Sequence, residues 1–274
     1  MTYLKLALLT MTLCETLTLS IPAYAYQIET VTIDGQSIKK HHQAMVVLPN
    51  DYNDEQEYPV VYVLHGWSGD FSSWTGSTAI AKQADLHQMI LVMPDGNYDR
   101  WYIDSPVVKD SNYQSYIAKD VVSYIDKHYS TKKDRTQRAI TGLSMGGFGA
   151  LNITLMNTDI FGNVGSISGG VNPANFAYNW GLANVFGDPV KNREYWDRKA
   201  IKFSSHKFLA GVNLVLDCGS DDFFINDNRE LHQVLNSYKV AHDYTERPGG
   251  HTWDYWNNAI QYQMLFFADK FAQK

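Results

Sequence analysis

The segment Ala139–Leu151 constrains the fold of this chain most, because it requires a strand, a sharp turn and a helix in immediate succession. Gly142 and Gly146 flank Ser144 in the spacing Gly-x-Ser-x-Gly. The missing side chains let the strand turn back into a helix and hold the serine in a strained conformation. The hydroxyl then stands at a helix N-terminus, which favours developing negative charge. The segment predicts an exposed nucleophile, although such turns also exist for packing alone.

Short apolar runs alternate with helical patterns along most of the chain. Val60–Leu64 and Met89–Met93 are continuously apolar, as is typical of strands buried on both faces of a parallel sheet, and Val212–Leu216 is a further predicted strand that is apolar except for Asn213. Helices are expected over about residues 78–86, 113–129 and 226–238. This alternation predicts an α/β fold with a mostly parallel central sheet, helices on both faces and right-handed crossovers.

Ligands of such sheets bind at the carboxyl ends of the strands. The chain opens with two alternating segments around a turn, which predict an antiparallel strand pair at Gln27–Ile33 and His42–Leu48. The loops that follow the predicted buried strands lie at His65, Asp95, Ser144, Asp222 and His251. We therefore expect the functional residues in these five loops.

Composition limits the class of protein. The chain has 274 residues with 45% hydrophobic and 19% charged residues, which is enough for a full core and excludes a disordered chain. The net charge of −6 argues against a nucleic-acid or anionic-membrane partner, since both require basic patches. No repeat or flexible linker interrupts the sequence, so we expect one domain over residues 26–274, with residues 172–205 as an irregular insertion over the sheet edge that could form a lid.

Residues 1–25 have the pattern of a secretory signal peptide. An apolar stretch follows Lys5 and ends in the small-x-small cleavage site Ala23-Tyr24-Ala25. Glu15 interrupts the run, which disfavours a permanent membrane span. Cys14 follows the bulky Leu13, which disfavours lipidation at this cysteine. The prediction is a secreted or periplasmic protein with no stable membrane insertion after cleavage, whose mature chain contains the single cysteine Cys218.

A serine nucleophile needs a base, and the base needs a carboxylate that orients it. His251 is the candidate base, because it lies between Gly249-Gly250 and the start of a helix in one of the five loops. The candidate acids are clustered after one strand: Asp217, Asp221 and Asp222. Asp217 is the weakest, since it lies within the strand end. The chain order Ser, Asp, His is the order of an α/β-hydrolase.

Acyl transfer also needs two donors for the oxyanion of the tetrahedral intermediate. The backbone N–H of Met145 directly follows the nucleophile, and the backbone N–H of Trp67 lies in the loop after Val60–Leu64, where Gly66 allows close approach. We expect these two groups to form the oxyanion hole. The sequence has no His-x-x-x-His or other clustered metal-ligand spacing, so no metal is predicted.

Five motifs together resemble the esterase family that includes esterase D (S-formylglutathione hydrolase), the feruloyl and acetylxylan esterases of carbohydrate esterase family 1, and the antigen 85 mycolyltransferases. The resemblance covers nearly all of the chain after residue 25, with the motifs in matching order: His65-Gly66-Trp67, Asp95-Gly96-Asn97-Tyr98, Gly142-Leu143-Ser144-Met145-Gly146-Gly147, Asp217-Cys218-Gly219-Ser220-Asp221-Asp222 and Gly249-Gly250-His251-Thr252-Trp253. It implies the triad Ser144, Asp222 and His251, oxyanion donors at Trp67 and Met145, and no cofactor.

The predicted function is an exported serine esterase acting on carboxylic esters, such as feruloyl or acetylxylan esters, as small molecules or linked to polysaccharide. Aromatic residues near the five loops are candidates for substrate binding or for packing: Trp67, Tyr98, Trp101, Trp253 and Trp256. The alternatives are an acyltransferase of antigen 85 type, an S-formylglutathione hydrolase if the chain is not exported, and a non-catalytic binding protein.

Overall fold

The computed structural model of the chain describes residues 26–273. The predicted signal peptide, its cleavage site and Cys14 lie outside the described residues. Within them, one sheet of eight strands has the order β1-β2-β4-β3-β5-β6-β7-β8. The strands are β1 Gln27–Gly35, β2 Lys40–Leu48, β3 Val60–Leu64, β4 Ile90–Pro94, β5 Arg138–Gly142, β6 Asn163–Ile167, β7 Asn213–Gly219 and β8 Asp243–Arg247. The predicted α/β fold is confirmed.

Six of these strands are parallel. β1 pairs with β2 and β2 with β4 in antiparallel fashion, whereas every pairing among β3 to β8 is parallel. A parallel strand needs a crossover to return to the same edge. The helices that cover the sheet are α1 Ser73–Ser77, α2 Ala81–His87, α3 Tyr113–Ser115, α4 Val122–His128, α5 Met145–Met156, α6 Leu182–Phe186, α7 Arg193–Lys199, α8 Ile225–Ser237 and α9 Trp253–Ala272.

The sheet separates two apolar layers. Val60, Tyr62 and Leu64 of β3 face one layer, and Val61 and Val63 face the other, as the alternation of side chains along a strand requires. The first layer contains α4, α5 and α8, and the second contains α2 and α9. Because both faces are covered, every residue of β3 is buried, which explains why the strand is apolar without a polar interruption.

Two boundaries differ from the sequence expectation. One helix is expected near residues 78–86, but the chain forms the short α1 and then α2, because Thr78 is extended and its hydroxyl accepts the Ile80 N–H at 3.2 Å. The predicted helix over 113–129 is present as α3, one π-helical stretch at Tyr116–Val121, and α4. Neither change moves a candidate site residue away from the carboxyl edge of the sheet.

The expected insertion at residues 172–205 is folded. It contains α6 and α7 with short 3-10 turns, and it buries Phe186 and Trp196 in the same layer as α5. The Ile201 N–H donates to the Val171 carbonyl at 2.9 Å, which joins the two ends of the segment. Among residues 26–273, no helix is both long and apolar enough to cross a bilayer.

Candidate active site

Ser144 lies at the turn between β5 and α5, with φ 56° and ψ −116°, a conformation that a residue other than glycine rarely adopts. The turn is tight because the end of β3 presses against it. A Cβ atom on Gly142 would lie 2.6 Å from the Leu64 carbonyl oxygen, and one on Gly146 would lie 2.5 Å from the same atom. Only glycine fits at these two positions, so the spacing around the serine follows from the close approach of a neighbouring strand.

A continuous hydrogen-bonded chain joins three side chains from three loops. The Nε2 atom of His251 lies 2.9 Å from the Oγ atom of Ser144, and its Nδ1 atom lies 2.8 Å from the Oδ2 atom of Asp222. Asp222 is 2% exposed, and its Oδ1 atom accepts the Phe224 N–H at 2.9 Å. Since a carboxylate can only accept, the proton of the neutral imidazole lies on Nδ1, and Nε2 is free to accept the serine proton.

The other two candidate acids lie elsewhere. Asp217 accepts hydrogen bonds from Arg247 at 2.5 Å and from the Tyr255 hydroxyl at 2.6 Å, so both of its oxygens are occupied. Burial raises the pKa of the Asp217 carboxyl despite these two donors. Asp221 is exposed to solvent. Of the three acids, only Asp222 contacts His251.

The two expected oxyanion donors have no hydrogen-bond acceptor within the described part of the protein. Over residues 26–273, the backbone N–H groups of Trp67 and Met145 donate to no protein acceptor. The loop that carries Trp67 lies against the nucleophile, because a Cβ atom on Gly66 would lie 3.6 Å from the Cβ atom of Ser144. Unpaired N–H groups beside a nucleophile can stabilise a developing oxyanion.

A second histidine braces this loop. The Nδ1 atom of His65 lies 2.8 Å from the Gly66 carbonyl oxygen, and its Nε2 atom accepts the Gly96 N–H at 2.8 Å. Both ring nitrogens are thus bonded to backbone, and the proton lies on Nδ1. The carbonyl of His65 accepts the Tyr102 hydroxyl at 3.2 Å. His65 therefore joins the loop after β3 to the loop after β4.

Asp95 lies behind His65. Its Oδ1 atom is 3.8 Å from the Nε2 atom of His65, and its Oδ2 atom is 3.4 Å from the Nδ1 atom of His42. Burial alone would raise the pKa of this carboxyl, but the neighbouring His42 imidazole and the Asn97 N–H, which donates at 2.6 Å, hold it well below its usual range. Asp95 is therefore a carboxylate stabilised by the loops that it joins.

A cavity of about 410 Å³ opens above Ser144. Four of the aromatic residues expected near the substrate line it: Trp67, Trp101, Trp253 and Trp256. Tyr98 does not line it; its ring packs on that of Trp67, with the centroids 5.2 Å apart. The cavity therefore has an aromatic wall to which Tyr98 contributes only by supporting Trp67.

Several residues that line the same cavity are not among the site residues predicted from the sequence. The aromatic ones are Trp180, in the insertion, and Phe223, directly after Asp222; the polar ones are Ser68, Ser73, Ser77 and Thr252. The position of Phe223 next to a candidate acid was a usable signal. Trp180 had none, because it lies in the segment with the least regular pattern.

The fold, with a serine at a sharp strand-to-helix turn on the carboxyl edge of the sheet, defines an α/β-hydrolase of the serine hydrolase class. The comparison with known families is consistent with this class. The chain belongs to the family described as "Putative esterase", which matches residues 35–267. It is a serine carboxylic ester hydrolase.

Three known esterases are similar to this chain over most of its length. An acetyl esterase of Caldicellulosiruptor saccharolyticus is 24% identical over 249 residues, covering 82% of this chain and 92% of that protein. Esterase Rv1288 of Mycobacterium tuberculosis is 27% identical over 237 residues, which cover 75% of this chain and 51% of that protein. A solved ferulic acid esterase superposes with a TM-score of 0.78 at 26% identity, covering 91% of this chain and 100% of that one.

Proposed function

We propose that Ser144, His251 and Asp222 are the catalytic triad of this esterase. The proposal is carried by one observation, the chain of hydrogen bonds from Asp222 through His251 to Ser144, with distances of 2.8 and 2.9 Å. The unpaired N–H groups of Trp67 and Met145 supply the oxyanion hole.

The reaction has two halves. The Oγ atom of Ser144 attacks the ester carbonyl while its proton passes to the Nε2 atom of His251. The resulting oxyanion accepts hydrogen bonds from Trp67 and Met145. When the bond between the carbonyl carbon and the alcohol oxygen breaks, His251 delivers the proton to the leaving alcohol. Water then attacks the acyl-enzyme with His251 as base, which releases the carboxylic acid and restores the serine.

The substrates that we propose are esters of short or aryl acyl groups, such as acetyl and feruloyl esters of carbohydrates. Support comes from the acetyl esterase and ferulic acid esterase relatives and from the aromatic wall of the cavity. We further propose that residues 1–25 direct export and that residues 26–274 form a single catalytic domain, because the "Putative esterase" match extends across residues 35–267.

The test is the comparison of wild type with Ser144→Ala on p-nitrophenyl esters of increasing acyl length and on methyl ferulate. We expect wild type to hydrolyse at least one of these esters and the variant to lose about 10⁴-fold or more in kcat/KM, because no other nucleophile replaces the hydroxyl. The matched control is Ser237→Ala, which removes an exposed serine at the end of α8 and should leave the rate unchanged.

Two further measurements complete the test. A fluorophosphonate reagent should add to Ser144 in wild type and leave Ser144→Ala unlabelled, as read by peptide mass spectrometry. Product analysis with added alcohol distinguishes hydrolysis from acyl transfer, since transfer would yield a new ester at the expense of the acid. Equal rates for wild type and Ser144→Ala across the panel would refute the proposal.

A further inference from the structure

We infer that Trp180 and Phe223 form a platform that binds a neutral ring in the alcohol half of the ester. The inference rests on the proposed catalytic triad and deepens it. The two rings are stacked, with centroids 5.4 Å apart and planes 21° apart, and both line the cavity above Ser144. Phe223 is 51% exposed, so its ring is accessible to a ligand in the cavity. We call this pair the aromatic platform.

The position of the platform relative to His251 identifies the half of the ester that it contacts. His251 must deliver its proton to the leaving oxygen, so that oxygen lies within hydrogen-bond reach of Nε2. The Phe223 ring lies against the imidazole, with centroids 4.3 Å apart. The group attached to the leaving oxygen therefore passes along Phe223. Trp256 also contacts the imidazole, with centroids 4.8 Å apart, but it is only 7% exposed and presents far less surface to a ligand than Phe223.

Trp180 is held in place before any ligand binds. Its φ of 48° is rare for a bulky residue, and such a conformation persists only where the surroundings enforce it. Its carbonyl accepts the indole N–H of Trp101 at 3.0 Å, and its ring contacts Phe176 and Phe224, each with centroids 5.5 Å apart. A rigid aromatic surface loses little conformational entropy on binding, which favours affinity.

The chemistry of the cavity limits the alcohol to a neutral one. Among the described residues that line it, none is Lys, Arg, Asp or Glu. A charged leaving group such as glutathione would find no counter-charge there, and burying an unpaired charge is costly. The flat, apolar face of the aromatic platform instead fits the C–H face of a sugar ring or the face of an aryl ring. Both share one chemistry, a neutral ring stacked on an aromatic surface.

The experiment varies the alcohol while the acetyl group stays fixed. We compare ethyl acetate, benzyl acetate and a mono-acetylated xylose in wild type, in Trp180→Ala and in the matched control Tyr178→Ala, which removes an aromatic ring that is 79% exposed in the same segment but does not line the cavity. In Trp180→Ala, kcat/KM for the ring-bearing esters should fall about tenfold more than for ethyl acetate. Tyr178→Ala should keep the wild-type ratios.

A second measurement separates the alcohol half from the acyl half. The hydrolysis of the acetyl-enzyme, measured after the burst with p-nitrophenyl acetate, occurs after the alcohol has left. Trp180→Ala should therefore slow acylation and leave the rate of deacylation within about twofold of wild type. Equal slowing of both steps would place the platform on the acyl side and overturn the inference.

Two more variants keep the inference testable if Trp180→Ala folds poorly. Phe223→Ala should give the same selective loss, and Trp180→Phe should retain most of the preference for rings. A loss on the sugar ester only, on benzyl acetate only, or on both supports a ring platform and identifies the ring. A uniform loss across all three alcohols refutes it. Such an outcome leaves the catalytic triad intact, since the triad is tested by Ser144→Ala alone.

Discussion

Two histidines on the same edge of the sheet, each near an aspartate, have opposite environments. His251 contacts side chains through both ring nitrogens, with Asp222 on Nδ1 and Ser144 on Nε2. His65 contacts backbone through both, with the Gly66 carbonyl on Nδ1 and the Gly96 N–H on Nε2. The first is 16% exposed in its side chain and the second 1%.

The difference between the two sites supports the two different roles that we propose for these histidines. A proton carrier needs one nitrogen that faces a group able to give up a proton, which only the His251 site provides through the serine hydroxyl. His65 has no such partner, because a backbone N–H does not ionise and a carbonyl only accepts. A histidine–aspartate pair at a catalytic edge therefore indicates catalysis only when the outer nitrogen faces an ionisable group.

The largest expected effect concerns the His251 pair. Replacing Asp222 with Asn should lower kcat by about 10⁴-fold, because the amide can donate to Nδ1 and stabilise the tautomer whose Nε2 carries the proton and cannot accept one from Ser144. Steady-state kinetics on the most reactive p-nitrophenyl ester measures this loss. The control is Asp221→Asn, which changes the exposed neighbour and should alter kcat by less than about twofold. Similar losses in both variants would contradict the assignment of the acid.

Replacing His65 should lower kcat less than replacing Asp222, but it should lower the free energy of unfolding more. His65→Ala removes two buried hydrogen bonds and opens a void, which should lower the free energy of unfolding by about 2 to 4 kcal/mol. The loop that carries Trp67 then relaxes, and we expect kcat to fall by up to about 10²-fold, less than for Asp222→Asn. Denaturant unfolding and kinetics on the same preparation give both numbers.

His41 provides the matched control for His65→Ala, since it is also a histidine but its side chain is 72% exposed. His41→Ala should change neither stability nor rate. If His65→Ala reduced kcat as strongly as Asp222→Asn while the unfolding free energy stayed constant, His65 would be part of the proton transfer and the contrast between the two histidines would fail.

The smallest effect is expected at Asp95, and it depends on pH. The folded-state pKa of Asp95 lies well below its unfolded value of about 3.9, so its contribution to stability is present above that value and is lost as the pH falls toward the folded pKa. Asp95→Asn should lower the free energy of unfolding by about 1 to 2 kcal/mol at pH 7. The difference from wild type should shrink progressively below about pH 4.

Urea unfolding of both proteins at several pH values measures this difference. A difference that stayed constant between pH 7 and pH 3 would mean that Asp95 stabilises the loops through packing rather than through its charge. In that case His42, whose Nδ1 atom lies 3.4 Å from the carboxylate, would not act as its ionic partner.

Much of this architecture could be predicted from the sequence. The continuous apolar runs identified β3 and β4, because a strand covered on both faces has no polar side chain to expose. The glycines around Ser144 identified the turn, because the close approach of β3 excludes any side chain there. The roles of Ser144, Asp222 and His251 stay predictions, although the structure places these side chains in one hydrogen-bonded chain.

Other features could not be predicted, for reasons that are physical. The direction of an aromatic side chain in an irregular segment depends on tertiary contacts, so nothing in the sequence indicated that Trp180 reaches the cavity. Tyr98 illustrates the converse: its motif pointed to the substrate, but its ring packs on Trp67. The bonding of His65 to backbone on both sides was also hidden, because backbone partners leave no pattern in the sequence.

The order of the three linked residues along the chain has a consequence for biosynthesis. Ser144 precedes His251 by 107 residues, and the loop of His251 is positioned by β8 and by α9, which runs to Ala272. A ribosome must therefore release the chain through His251 and α9 before the imidazole can reach the hydroxyl. Under the proposed mechanism, a nascent chain would remain inert toward esters until α9 docks, which makes the onset of turnover a natural reporter of the docking of this helix.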